Sequence, residues 1–168
     1  MQESSRPKRL ERYKDAVSGE ADASLSKVEI RVRFCETDLM GIVHHANHLV
    51  YFEAGRVEWL RRRGVTYAEW ATRGVHLPVV DAGVRYRAPA FFDDVLVVET
   101  RLTELRSVSL RFDYRLVRNG RPGDVGALTP VLLAEGFTKL ASIDQAHTLR
   151  KIPDDVAAIL RAGEQDSS

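Results

Sequence analysis

The stretch Val32–Arg63, VRFCETDLMGIVHHANHLVYFEAGRVEWLRRR, decides the reading of this chain. It sets one carboxylate, Asp38, between an alternating segment and a long apolar segment of helical period. A His-His-Ala-Asn run, His44–Asn47, opens that helix. Helix starts leave backbone N–H groups unpaired and carry partial positive charge. A carboxylate and free N–H groups in one pocket attack a carbonyl and stabilise the charge that develops on it. On spacing alone Asp38 reads equally well as a turn or capping aspartate.

The helical pattern runs from about Ala46 to Arg63. Val50, Ala54 and Val57 mark one stripe, and Tyr51, Phe52, Trp59 and Leu60 widen the apolar surface, so other structure is expected to wrap most of this helix. Glu58 stands at ion-pair spacing from Arg62, Arg61–Arg63 suit the negative C-terminal end, and Gly64 is a natural stop. Upstream, Val28–Phe34 alternates as a half-buried strand, and Glu36–Gly41 is a loop. Downstream, Thr66–Arg73 reads as a short helix ended by Gly74. Four strands follow: Leu77–Arg87, with a bulge or bend expected at Gly83; Val95–Leu105, after a turn at Pro89 and Asp93-Asp94; Ser107–Val117; and Val131–Ile143. Between the last two, Asn119–Pro130 holds three glycines and two prolines, a hairpin loop. A helix over Asp154–Arg161 follows Pro153. Strands in series imply an antiparallel sheet. The predicted class is therefore α+β, a five-stranded antiparallel sheet wrapped around one long central helix: the hotdog fold. Residues 1–26 read as a flexible arm with a short helix over Arg9–Val17, 27–152 as the folded domain, and 153–168 as a short C-terminal helix and loose tail.

The chain has 168 residues, 44% hydrophobic and 29% charged, with net charge +1. These totals describe one soluble globular domain with no bias toward nucleic acid or an anionic membrane. Cys35 is the only cysteine, so an intramolecular disulfide and a thiolate zinc cluster are excluded. Beside Val32 and Phe34 it reads as a buried small residue. No apolar run approaches the roughly 18 residues of a membrane span, and the first residues lack the apolar core of a signal peptide. A cytoplasmic location is expected. His44 and His48 have metal-ligand spacing, but no Glu-x-x-His accompanies them and a third ligand is missing, so no metal is expected.

Phe34–Leu49, FCETDLMGIVHHANHL, resembles the signature of hotdog acyl-CoA thioesterases of the 4-hydroxybenzoyl-CoA thioesterase and YbgC type, roughly D-T-D-x-x-G-V-V-Y-H-A-N-Y. Tyr51–Arg56, YFEAGR, resembles the helix that follows it in the family, and Ala88–Leu96 resembles the turn into the middle strand. The likeness covers about residues 27 to 145. Glu36 replaces the first aspartate of the pattern, and His44 and His48 replace its two tyrosines.

The resemblance implies thioester hydrolysis, with Asp38 as the catalytic carboxylate, either general base or nucleophile. It implies that the N–H of His45 faces the thioester oxygen. Gly41 would let the loop approach the substrate, His44 would line the pocket, and Asn47 would cap the helix. It further implies an active site between subunits, hence a homodimer or homotetramer, with Glu53 and Arg56 candidates there and a surface ion pair as their plainer reading. Arg106 and Ser109, with Arg111 and Lys139 as further options, match places where related enzymes hold the nucleotide; otherwise they face water. Coenzyme A is part of the substrate, and no separate cofactor is implied. Competing functions are hydrolysis of acyl carrier protein thioesters and non-catalytic acyl-CoA binding. The Asp-x-Asn-Pro type motif of hotdog dehydratases is absent from Asp38–Gly41.

Overall fold

The computed structural model describes residues 24–119 and 130–162. The predicted helix over Arg9–Val17, nearly all of the 119–130 loop and the tail beyond Ala162 lie outside them. In chain order the elements are β1 (Ser26–Arg31), α1 (Asn47–Arg61), α2 (Tyr67–Thr72), β2 (Val79–Tyr86), β3 (Val95–Leu105), β4 (Ser109–Arg118), β5 (Val131–Ala141) and α3 (Asp154–Ala162). The strands form one antiparallel sheet in the order β1-β3-β4-β5-β2. β1 and β2 are its edges.

Alternation sets the two faces. Leu96, Val98, Thr100 and Leu102 of β3, with Leu110, Phe112, Tyr114 and Leu116 of β4, point to one side and are buried. α1 lies on that side. Phe52 stacks on Tyr114 at 4.5 Å between ring centroids, and Trp59 meets Phe112 edge-on at 5.3 Å. Each large side chain so buried contributes about 1.5–3 kcal/mol, and a good aromatic pair about 1 kcal/mol more. Two glycines allow the close approach. A Cβ on Gly55 would collide with Thr100 Oγ1 and stand 2.7 Å from Val98 Cγ1. A Cβ on Gly136 would strike the ring of Phe52.

α1 ends at Gly64, whose φ of +71° turns the chain, and the Val65 N–H returns to the Leu60 carbonyl at 3.1 Å. Thr66 then caps α2: its hydroxyl accepts from the Glu69 N–H at 3.3 Å while Glu69 Oε2 accepts from the Thr66 N–H at 3.1 Å. At the other end of α2, Arg150 donates to the carbonyls of Arg73 and Gly74, both at 3.0 Å. α3 buries Val156, Ala157 and Leu160.

Three local expectations are corrected. The Val50–Ala54–Val57 stripe of α1 is not the buried one. Tyr51, Phe52, Gly55, Arg56, Trp59 and Leu60 face the sheet, while Val50 and Ala54 are exposed. Cys35 is exposed rather than buried. β1 stops at Arg31, and a 3₁₀ turn over Phe34–Glu36 rotates Cys35 outward and Glu36 inward. In β2 the register slips between Val79 and Asp81, not at Gly83, which lies under the Phe137 ring.

Candidate active site

Between β1 and α1 the chain folds back in a tight hairpin. The His44 N–H donates to the Glu36 carbonyl at 2.9 Å, Thr37 pairs with Val43, and the Asp38 N–H donates to the Ile42 carbonyl at 2.9 Å. Asp38 opens the turn: its carbonyl accepts from the Gly41 N–H at 2.9 Å, and its carboxylate accepts from the Met40 N–H at 2.8 Å. Gly41 sits at φ +76°, where a side chain is strained. Its role is thus to close the turn. Val43 N–H bonds to Ala90 and Ile42 pairs with Phe91, so the hairpin is docked on the turn before β3.

The hairpin runs directly into α1. Asn47 is the first helical residue, and Ala46 before it is already in helical conformation, so Asn47 is not the cap that its sequence position suggests. Its side-chain amide donates instead to the Glu36 carbonyl at 2.7 Å. Among the described residues the His45 N–H donates to no protein acceptor. One short segment therefore carries a half-buried carboxylate at its turn and a free N–H at the helix start.

The histidines differ. His44 and His45 are exposed, with rings 4.0 Å apart. His48 is buried, its ring edge-on to Tyr86 at 4.8 Å. Its Nδ1 lies 3.2 Å from the His45 carbonyl, which can only accept, so Nδ1 carries the proton. The Tyr86 hydroxyl donates to the same carbonyl at 3.0 Å. The edge strand β2 thus touches the helix start.

Burial lowers the His48 pKa below its ordinary 6.5, against the opposing bonds to the His45 and His44 backbone. A base with a lowered folded pKa contributes stability that is present above its unfolded pKa and lost as pH falls through the folded one. The expected result is a stability that declines below pH 6.5, by no more than about 1.4 kcal/mol per pH unit from this group, read as a falling melting temperature. His48→Asn, which keeps a donor to the carbonyl and does not titrate, should flatten that decline in thermal melts between pH 7 and 5. An unchanged slope would contradict the assignment.

A model of the thioesterase-like superfamily matches residues 32–160. The chain belongs to the thioesterase-like superfamily. A putative esterase of Aquifex aeolicus is 42% identical over 131 residues, covering 78% of this chain and 94% of that protein. The acyl-CoA thioester hydrolase YbgC of Escherichia coli is 33% identical over 96 residues, 57% of this chain and 72% of YbgC. Among solved structures, a hypothetical protein of Thermus thermophilus superposes with a TM-score of 0.72 at 44% identity, covering 82% of this chain and 96% of that one. The 4-hydroxybenzoyl-CoA thioesterase of Pseudomonas sp. strain CBS-3 reaches 0.71 at 21% identity, over 81% and 99% of the two chains, a likeness of fold. The resemblance drawn from Phe34–Leu49 is borne out, and the class expected from it, a thioester hydrolase, is that of the family.

In this thioesterase-like chain the remaining sequence candidates lie apart. Arg56 is buried inside the protomer, its guanidinium bonded to the hydroxyls of Tyr67 (2.8 Å), Thr138 (3.2 Å) and Tyr114 (3.4 Å). Burial disfavours its charge, but the Tyr114 and Tyr67 hydroxyls outweigh that and raise its pKa. Glu53 is exposed, 3.9 Å from it. Arg106 and Ser109 share the β3–β4 turn, where the Arg106 N–H meets the Ser109 carbonyl at 2.9 Å and its side chain pairs with Glu104 at 3.2 Å. Arg111 stacks over Phe137, and Lys139 lies beside it in the β4–β5 register. These residues are at the far end of the 11-residue β3, about 35 Å of strand from the turn on which the Asp38 hairpin docks. Among the described residues no three His, Cys, Asp or Glu side chains gather as a metal site, and no helix is long and apolar enough to cross a membrane.

Sequence reasoning missed Glu36, Tyr51 and Tyr86. Arg33 and Glu36 do stand three apart, the spacing of a capping box. Tyr86 had no local signal, since its contact is 41 residues distant.

Proposed function

We propose that this chain hydrolyses acyl-CoA thioesters to a free acid and coenzyme A in the cytoplasm. The observation that carries the reading is the hairpin that joins the Asp38 carboxylate to the free N–H of His45. As base, Asp38 takes a proton from water while the water oxygen bonds to the thioester carbon. The carbonyl oxygen gains negative charge and accepts from the His45 N–H. The C–S bond then breaks and the thiolate leaves. In the nucleophilic alternative, the Asp38 oxygen bonds the carbon, thiolate departs, and water cleaves the resulting anhydride.

We further propose that the sheet wraps α1 as the central helix of a homodimer or homotetramer. β2 is an exposed edge bearing Val79, Val80 and Tyr86, the kind of strand that proteins pair or protect. Two β2 strands paired antiparallel about a two-fold axis bring the partner's Val79 end beside Tyr86. The partner's β3–β4 turn, with its Arg106 and Ser109, then lies at the Asp38 end. That arrangement supports a nucleotide held by one protomer while its thioester reaches the other's hairpin. Exposed Leu39, Met40 and Val50 suit an apolar acyl group. No cofactor takes part.

The test is thiol release from matched acyl groups carried on coenzyme A and on acyl carrier protein. The expected result is a kcat/KM at least tenfold higher on coenzyme A for the best acyl group. Turnover confined to the carrier-protein thioesters would replace this reading.

A further inference from the structure

We infer that Glu36 is a positioning residue that holds the two halves of the site in register, an inference that rests on the function proposed above. Glu36 is 5% exposed as a residue, yet its side chain carries a carboxylate. Burying such a charge is costly unless it is paired and hydrogen-bonded. Here every donor is supplied. Oε2 accepts from the Arg33 N–H at 2.7 Å and from the Tyr51 hydroxyl at 2.9 Å. Oε1 accepts from Arg33 Nη2 at 2.8 Å and Nε at 3.1 Å. Burial raises the pKa, but the Arg33 and Tyr51 bonds prevail and hold it below the usual carboxylate range, so the group is charged at neutral pH.

The partners are what give this carboxylate a function beyond packing. Arg33 follows β1, and Tyr51 is on α1, facing the sheet. The Glu36 side chain therefore ties the strand to the helix. Its own carbonyl takes the His44 N–H and the Asn47 amide. Two residues further on is Asp38; one residue past His44 is His45. Both groups assigned to the reaction hang from the same buried anchor, and neither touches it. A shift of about 1 Å at such a site costs on the order of a hundredfold in rate.

The experiment uses the full chain and its best acyl-CoA substrate, measuring kcat, KM and melting temperature for wild type, Asp38→Asn, Glu36→Gln, Tyr51→Phe and the Glu36→Gln/Tyr51→Phe double variant. Glu36→Gln is expected to lower kcat about 30-fold with KM within threefold, and Tyr51→Phe to lower it about fivefold. The double variant should be no slower than Glu36→Gln alone, because both act through one anchor. A residue that only stabilises the fold would lower the melting temperature and leave kcat per folded site unchanged; that result overturns the inference. So does a multiplicative double variant. If Glu36→Gln fails to fold, Tyr51→Phe decides: kcat equal to wild type overturns the inference. An unimpaired Asp38→Asn overturns the proposed function itself, whereas an inactive Asp38→Asn beside a fully active Glu36→Gln overturns only the role of Glu36.

Discussion

Gly55→Val is expected to lower the melting temperature by about 10 °C. Glycine in a helix interior ordinarily costs about 1 kcal/mol relative to alanine, so filling it should help. At Gly55 the space is already occupied. The new Cβ would overlap Thr100 Oγ1 and stand 2.7 Å from Val98 Cγ1, and both of those residues are fully buried in β3. Overpacking a tight core costs about 1–3 kcal/mol, and the two further methyl groups of valine take it to the top of that range or beyond. For a domain of this size about 3 kcal/mol corresponds to roughly 10 °C. Gly55→Ala should be destabilised by a smaller margin, since its helix propensity offsets part of the overlap. Circular-dichroism melts of both variants check this. A melting point above wild type for either would show that α1 does not approach β3 as described.

The same glycine marks how far the sequence could be read. The strands and the end of α1 at Gly64 follow from alternation and a stop glycine. The helix face does not. α1 is apolar on both sides, with Val50, Ala54 and Val57 on one and Tyr51, Phe52 and Trp59 on the other, and a periodic pattern cannot choose between them. Only the close contact at Gly55 does. Asp38, Gly41 and His45 lie within one short segment, so a local motif is enough to predict that the fold keeps them near one another. Asn47, expected as the cap of α1, is instead its first residue and bonds the Glu36 carbonyl, a contact that depends on the hairpin closing. Glu36 looked like a change of one acid for another. Its burial follows from a 3₁₀ turn that also turns Cys35 outward, and from Tyr51, which reaches it from the helix. Arg106 and Ser109, expected at the nucleotide, lie at the opposite end of β3 from the turn on which the Asp38 hairpin docks.

The largest effect on activity is expected at Asp38. Asn keeps the size of the side chain and an oxygen that can accept from the Met40 N–H, so the turn is retained. It removes the charge and the ability to take a proton or to form an anhydride with the acyl carbon. General-base catalysis contributes about 10²–10⁴-fold, so kcat should fall about a thousandfold while acyl-CoA is still bound. Thiol release by Asp38→Asn, set beside wild type on the acyl-CoA that wild type hydrolyses fastest, tests the central claim most directly. A folded variant with a kcat about a thousandfold lower and a KM within threefold is the predicted result. A folded variant whose kcat is within threefold of wild type would contradict it.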